Sequence, residues 1–210
     1  MRLSVIQLTE ACGVSRKTFY YHFSDLAKLT QWFFRYEMDR ELAAKCFQNS
    51  LVFPSPNRED PYPEFAFYAR TGSGVRSLDC SAFFEILSDY LEQNRRYYWY
   101  ILNNSGGAGF MRYIIKLYQA AIVDDIHIIL GGRQLPVNET HQLSKYFLYS
   151  AVVSRFSEIA YSQKSVKLTL PGSLKNMVHN NLYSAIECYF DSLRNEHLSV
   201  IGATSYRQHT

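Results

Sequence analysis

Apolar residues along the 210-residue chain recur mostly at intervals of three and four, the spacing of one face of an α-helix. Alternating apolar and polar positions, which are typical of a half-buried strand, are scarce. Loop signals separate the helical segments: four prolines within 48–63, a Thr-Gly-Ser-Gly run within 71–77, and a Gly-rich turn at 105–109. The pattern therefore predicts an all-α fold of about nine helices.

Capping residues and helix-stop residues give approximate bounds for these helices. We expect the fourth to start at Asp79 or Ser81, and the last to start at Pro171 or Ser173 after an irregular segment at 165–170. The chain after Leu198 is expected to be frayed. The predicted helices cover Ser4–Cys12, Ser15–Phe23, Asp25–Phe47, Asp79–Gln93, 95–103, Phe110–Leu130, Asn138–Gln163 and Ser173–Arg194.

The first two predicted helices form a helix-turn-helix pattern. Gly13 permits the positive φ that ends the first helix, and Ser15 can cap the second. Phe19 and Phe23 can pack inward against apolar residues of the first helix. The outer face of the second helix carries cations, hydroxyls and aromatic donors, which suit phosphates and base edges. Its residues are Arg16, Lys17, Thr18, Tyr20, Tyr21 and His22.

Two motifs resemble a known family of transcription regulators. The run Gly13-Val14-Ser15-x-x-x-Phe19-Tyr20-x-His22-Phe23 resembles the turn and recognition helix of the TetR/AcrR family. The run Tyr90-Leu91-Glu92-Gln93-Asn94-Arg95, with aromatic residues after it, is similar to the dihydroxyacetone-kinase-regulator branch of that family. The resemblance implies a helix-turn-helix DNA-binding head joined to a helical-bundle regulatory and dimerisation domain.

The resemblance also implies roles for single residues of the motif. Tyr20 and His22 would contact the DNA backbone. The family usually has a lysine at the position of Leu26, and Lys28 is the cation that could replace it here. Ser15 belongs to the predicted DNA-binding set as the residue that starts the helix. The residues expected to face the major groove are Arg16, Lys17, Thr18 and Tyr21.

The family's first helix would precede residue 3 by a full helix length, whereas this sequence starts at Met1. Two interpretations stay open: translation starts upstream of Met1, or the helix has been lost. Loss of the helix would favour an alternative function, a regulator-like adaptor that no longer binds DNA and acts through protein contacts. Under either interpretation, we expect residues 1–47 to form a truncated DNA-binding head with its connecting helix. Residues 48–210 are expected to form the helical ligand-sensing and dimerisation domain.

We expect a cytoplasmic, homodimeric regulator of the TetR type, a repressor, that binds a palindromic operator in double-stranded DNA and responds to an unknown small-molecule effector. A net charge of +3 permits DNA binding without demanding it. No catalytic arrangement is recognisable, so an enzyme is not predicted, and a helical metabolite carrier has no supporting residues. No signal peptide or membrane span is indicated.

No cofactor and no metal are predicted either. The six histidines lack metal-binding spacings, and the four cysteines form no C-x-x-C pair. His127 is interpreted as a core or interface histidine. Asp124 and Asp125 are interpreted as part of a solvated face, because adjacent helical residues point apart.

Aromatic residues supply the candidates for a ligand pocket, since the chain contains 17 Tyr and 14 Phe. Tyrosine combines an apolar ring with a hydroxyl, which suits both a ligand cavity and a solid core, and both interpretations stay open. The pocket candidates are Phe83, Phe84, Tyr97, Tyr98, Trp99, Tyr100, Tyr113 and Tyr118.

Two C-terminal helices carry apolar stripes at spacings of three and four. The family resemblance places the dimer contact at this end of the chain, in a four-helix interface. The alternative is that both stripes face the core of their own monomer. The dimer candidates are Tyr146, Tyr149, Val153, Phe156, Leu182, Ile186, Tyr189, Phe190 and Leu193.

Overall fold

The computed structural model describes residues 4–55, 60–104, 106–162, 164 and 175–206, with side chains described as far as residue 195. The fold is all-α, with two short antiparallel hairpins. The described helices are α1 Val5–Ala11, α2 Arg16–His22, α3 Leu26–Lys45, α4 Ser81–Gln93, α5 Arg95–Leu102, α6 Gly107–Leu130, α7 Val137–Leu148, α8 Ser154–Tyr161 and α9 Met177–Tyr206. The strands are β1 Leu51–Val52, β2 Tyr68–Ala69, β3 Thr71–Gly74 and β4 Ser77–Asp79.

β1 and β3 lie in the segments that the sequence predicts to be loops, 48–63 and 71–77. β1 pairs with β2, and β3 pairs with β4 with Thr71 opposite Asp79. Arg76 adopts a φ of 58° in the turn between β3 and β4. The prediction of an unpaired break at 71–77 is therefore wrong. These strands are two to four residues long, which is too short to produce a recognisable alternating pattern.

The predicted helix at 138–163 is interrupted by a wider turn. α7 ends at Leu148, a π-helical turn covers Tyr149–Val153, and α8 starts at Ser154. The hydroxyl of Ser154 donates a hydrogen bond to the carbonyl of Ser150 at 2.6 Å. Such turns insert a residue into an α-helix and shift the faces on either side of it. The side chains before and after the turn therefore do not form a single regular stripe.

The last helix is longer than the sequence predicts. α9 runs from Met177 to Tyr206, whereas the predicted helix ended at Arg194 and a frayed tail was expected after Leu198. The segment predicted to be irregular at 165–170 and the predicted start at 171–173 lie outside the described residues. In the described part of the chain, no helix combines the length and the apolar character needed to span a membrane.

A continuous aromatic core joins α3 to the rest of the helical domain. Phe34 of α3 is fully buried, and its ring lies within 6.4 Å, centroid to centroid, of five other aromatic rings. α3 therefore shares the core of the domain that follows it. The division of the chain at residue 47 stays a prediction. The five rings belong to Tyr90, Tyr98, Phe110, Tyr118 and Phe156.

A buried ion pair fixes the loop before β2 onto α3. The side chain of Arg35 has no exposed surface, and its Nη1 donates to Asp60 Oδ1 at 2.9 Å and to Tyr113 Oη at 3.1 Å. Its Nη2 donates to the carbonyl oxygens of Tyr62 and Phe65 at 2.9 and 2.6 Å. A single guanidinium thus links α3, the loop and α6, and most of its donor capacity is used.

Candidate nucleic-acid interface

The helix-turn-helix is built by side-chain caps and one glycine. Ser4 and Gln7 form a capping box at the start of α1, with Gln7 N donating to Ser4 Oγ at 3.2 Å and Ser4 N donating to Gln7 Oε1 at 3.0 Å. Gly13 has a φ of 65°, which turns the chain after α1 at little steric cost. The predicted first helix and its stop at Gly13 are confirmed.

α2 starts at Ser15, whose hydroxyl oxygen accepts a hydrogen bond from Thr18 N at 3.0 Å. Phe19 is the buried residue of α2, and its ring packs 5.9 Å from that of Phe23, centroid to centroid. The other six side chains of this helix are exposed, including 85% of Tyr21. The structure therefore places Arg16, Lys17, Thr18, Tyr20, Tyr21 and His22 on an accessible helix surface, with Ser15 exposed at its start.

The exposed surface of α2 has a positive local charge. Arg16 and Lys17 lie in its first turn, and the sequence contains no Asp or Glu between Ala11 and Ser24. Lys28 is also exposed, one turn into α3, although its Nζ is directed to Gln31 Oε1 at 3.3 Å. A basic surface of this kind attracts the phosphates of a duplex. The DNA-contact role of these residues stays a prediction.

The head is attached to the helical domain mainly through aromatic rings. Phe23, at the end of α2, lies 5.7 Å from the Trp32 ring on α3, and Trp32 stacks on Tyr36 at 5.1 Å. The hydroxyl of Tyr62 donates to the carbonyl of Lys28 at 3.1 Å, so the loop before β2 also touches the start of α3.

The predicted pocket residues fall into two groups. Phe83, Tyr98 and Tyr118 are fully buried in the aromatic core, where the Tyr98 hydroxyl hydrogen-bonds to the Tyr90 hydroxyl at 2.7 Å. Burial raises the pKa of the Tyr98 phenol well above its usual range. Among the described residues, these side chains form a packed core. The half-buried members of the set are Phe84, Tyr97, Trp99, Tyr100 and Tyr113.

A cavity of about 320 Å³ opens between the start of α3, residues 53–55 and 60–61, and α6. Tyr113 is the predicted pocket residue that lines it. Burial raises the pKa of the Tyr113 phenol, although the neighbouring Arg35 lowers it, so the hydroxyl is a neutral hydrogen-bonding group. The cations in the lining are Lys28, Arg112 and Lys116, and the carboxylates are Asp60 and Asp124.

The predicted dimer residues also fall into two groups, fully buried residues and residues that are at least partly exposed. Phe156, Leu182 and Ile186 are fully buried inside their own chain, so their assignment to a dimer contact is wrong for this conformation. The π-helical turn and the packing of α9 on the core direct them inward. Tyr146 and Tyr149 are 70% and 52% exposed. Val153, Tyr189 and Phe190 are half-buried, and Leu193 is exposed.

A buried polar cluster surrounds Asp125 of α6, where the sequence predicts none. Asp125 is fully buried on α6 and forms an ion pair with Arg70, so its interpretation as part of a solvated face is wrong. Cys80 and His179 are buried against it. Burial raises the pKa of the Cys80 thiol, and so does the charge of Asp125.

Sequence spacing contained one signal for this cluster. Asp125 lies four residues from Ala121 and Ile129 and three from Ile122, on the apolar stripe of α6. A carboxylate on such a stripe must be buried and therefore needs partners. His127, two residues further, is exposed rather than part of the core.

These elements define an all-α protein with a short helix-turn-helix at its N-terminal end. No family model matches the sequence, and no curated protein matches it. Among solved structures, the chain is similar to a protein described as "Dihydroxyacetone kinase operon activator DhaS". The identity is 14%, the TM-score is 0.42, and the similarity covers 89% of this chain and 86% of that chain. A similarity at this level carries no conclusion about function.

Proposed function

We propose that the protein is a DNA-binding transcription regulator of the TetR type. The observation that carries this proposal is the exposed face of α2, which presents Arg16, Lys17 and two tyrosines while Phe19 anchors the helix. Helices of this kind enter the major groove, where arginine and lysine read guanine and hydroxyls contact phosphates. The family resemblance of the motif supports the same assignment.

The experiment that tests the proposal measures binding to duplex DNA. Duplexes are selected on the protein from a random-sequence pool, and affinities for the selected duplex and for unselected DNA follow from fluorescence anisotropy. Arg16→Ala or Lys17→Ala should weaken binding by about 5- to 150-fold where the residue reads a base, corresponding to about 1–3 kcal/mol. Tyr20→Phe should weaken binding to both DNAs alike, as expected for a phosphate contact.

Arg96→Ala is the matched control, because Arg96 is an equally exposed arginine on α5. It should leave both affinities unchanged. If the three α2 variants bind the selected duplex as well as the unmutated protein does, α2 is not the reading helix. Failure to select any sequence would instead favour the adaptor that acts through protein contacts.

We propose further that the regulator is a homodimer that uses the exposed face of α7 and the π-helical turn. Tyr146 and Tyr149 are solvent-exposed there, and tyrosine is enriched in protein–protein interfaces. The Tyr146→Asp/Tyr149→Asp double variant should be monomeric by light scattering at micromolar concentration, where the unmutated chain is dimeric. Tyr161→Asp, at a position 91% exposed, should stay dimeric. A monomeric unmutated chain would contradict the two-fold arrangement.

The cavity between α3 and α6 is the proposed effector site. Among the described residues of the lining, Lys28, Arg112 and Lys116 outnumber the carboxylates Asp60 and Asp124, and Asp60 forms an ion pair with Arg35. This lining favours a small anionic ligand with an apolar part. A ligand there would touch the first turn of α3 and so affect the junction with the head. A thermal-shift screen of small carboxylates and phosphates tests this, and no stabilisation by either class would contradict it.

A further inference from the structure

Three side chains with metal-binding atoms converge in the interior of the helical domain. Cys80 lies between β4 and α4, Asp125 lies in α6, and His179 lies in the first turn of α9. Their donor atoms all lie within 4.8 Å of one another, and the three residues are buried. His179 Nε2 is 2.6 Å from Asp125 Oδ2 and 3.4 Å from Cys80 Sγ.

Hydrogen bonds satisfy Asp125, because its Oδ2 accepts from the Tyr68 hydroxyl at 2.8 Å and its Oδ1 accepts from Arg70, but they leave the His179 ring with poorly matched partners. Nε2 of His179 faces three groups, because the hydroxyl of Tyr68 also lies 3.2 Å from it. A ring nitrogen carries one proton or one lone pair, so it can serve one of these groups well. Among the described residues, Nδ1 of the same ring is buried and has no hydrogen-bond partner. A cation between the three donors would use the Nε2 lone pair, the carboxylate oxygen and the sulfur together, and the ring proton of His179 would then lie on Nδ1.

We propose that Cys80, Asp125 and His179 bind a divalent transition-metal ion of the zinc class. Sulfur, imidazole nitrogen and carboxylate oxygen form the mixed donor set that such ions select. Two ligands of one tetrahedral zinc ion lie roughly 3.3–3.8 Å apart, given bond lengths near 2.0–2.3 Å. The Nε2 to Sγ distance already meets this requirement, and the Nε2 to Oδ2 distance would have to open by roughly 0.7–1.2 Å.

Surrounding contacts fix the three ligands before an ion arrives. Arg70 pairs with Asp125 through Oδ1, while Oδ2 accepts a hydrogen bond from the Tyr68 hydroxyl at 2.8 Å and faces His179. The Asn176 side chain accepts a hydrogen bond from Cys80 N at 3.1 Å and donates to the carbonyl of Leu78 at 2.7 Å, so the start of α9 is tied to β4. Such outer contacts orient metal ligands and raise affinity.

The metal would crosslink elements that are distant in the sequence. Cys80 and His179 are separated by 99 residues, and the ion would hold the first turn of α9 against β4 and α6. All three ligands lie outside the DNA-binding head, so the site is independent of the proposed DNA recognition. The sequence does not predict this metal site, because the ligands are spread over three segments without metal-binding spacing.

The test uses the full chain, stripped with a chelator, kept reduced with a phosphine and titrated with Co²⁺. We expect one Co²⁺ per chain, visible ligand-field absorption, a thiolate-to-cobalt charge-transfer band and displacement by Zn²⁺. Zn²⁺ should raise the melting temperature of the chelator-treated protein. Cys80→Ser and His179→Gln should lose the charge-transfer band or stoichiometric binding, and Arg70→Gln should lower affinity by about 10- to 100-fold.

Two controls keep the result decisive even if a ligand variant fails to fold. The Cys12→Ser/Cys46→Ser/Cys188→Ser triple variant keeps Cys80 as its sole thiol, so a charge-transfer band there can come from no other residue. His141→Gln changes an exposed histidine and should bind Co²⁺ normally. The proposal is overturned if the triple variant shows no band, or if a folded Cys80→Ser variant binds Zn²⁺ as tightly as the unmutated protein.

Discussion

Replacing Arg35 by methionine should lower the free energy of unfolding by about 3–5 kcal/mol, because the change breaks a buried ion pair. Methionine fills similar space but leaves the Asp60 carboxylate and the carbonyls of Tyr62 and Phe65 without their donor. The loop before β2 would then lose its attachment to α3. Urea denaturation followed by circular dichroism measures the change in unfolding free energy.

Arg40→Met is the matched control on the same helix. Arg40 pairs with Glu37 at 3.2 Å, but its side chain is 63% exposed. A surface pair of this kind contributes below about 0.5 kcal/mol, so this variant should unfold like the unmutated protein. Equal stability of the two variants would show that the Arg35 network contributes no more than a surface contact.

Replacing Phe34 by alanine should destabilise the protein by about 3–5 kcal/mol, since it leaves a cavity in the middle of the aromatic core. The ring of Phe34 is fully buried and contacts rings from α4, α5, α6 and α8. Few neighbours can move into the space, because they hold one another in place. Denaturant unfolding at an unchanged m-value would measure the loss.

Phe33→Ala provides the comparison at the adjacent position. Phe33 is half-buried and has a ring contact with Tyr97 at 5.6 Å. Its loss should cost about 1 kcal/mol, in proportion to the smaller apolar area that it buries. A Phe34→Ala variant as stable as Phe33→Ala would mean that α3 is not anchored in the core in solution.

Local signals were sufficient to predict the helix-turn-helix and most helix bounds. Ser15 caps α2 and Gly13 ends α1 by interactions that span only a few residues, which a sequence pattern contains in full. The end of α6 at Leu130 follows from the positive φ that Gly131 supplies, 56° in the structure. The exposed face of α2 was predictable for the same reason, since periodicity separates Phe19 from its neighbours.

Contacts between distant segments could not be predicted in this way. Helical spacing identified an apolar stripe that includes Phe156 but could not say whether another chain or the chain itself covers it, and the fold buries it inside. Similarly, Asp60 meets Arg35 across 25 residues, and His179 meets Asp125 across 54. The sequence by itself determined most of the helical segments, most of their bounds and which face of α2 stays polar, because these depend on neighbours along the chain. The tertiary structure alone decided which aromatic residues form a solid core, where the cavity opens and which polar groups are buried together, because those outcomes depend on how the helices pack.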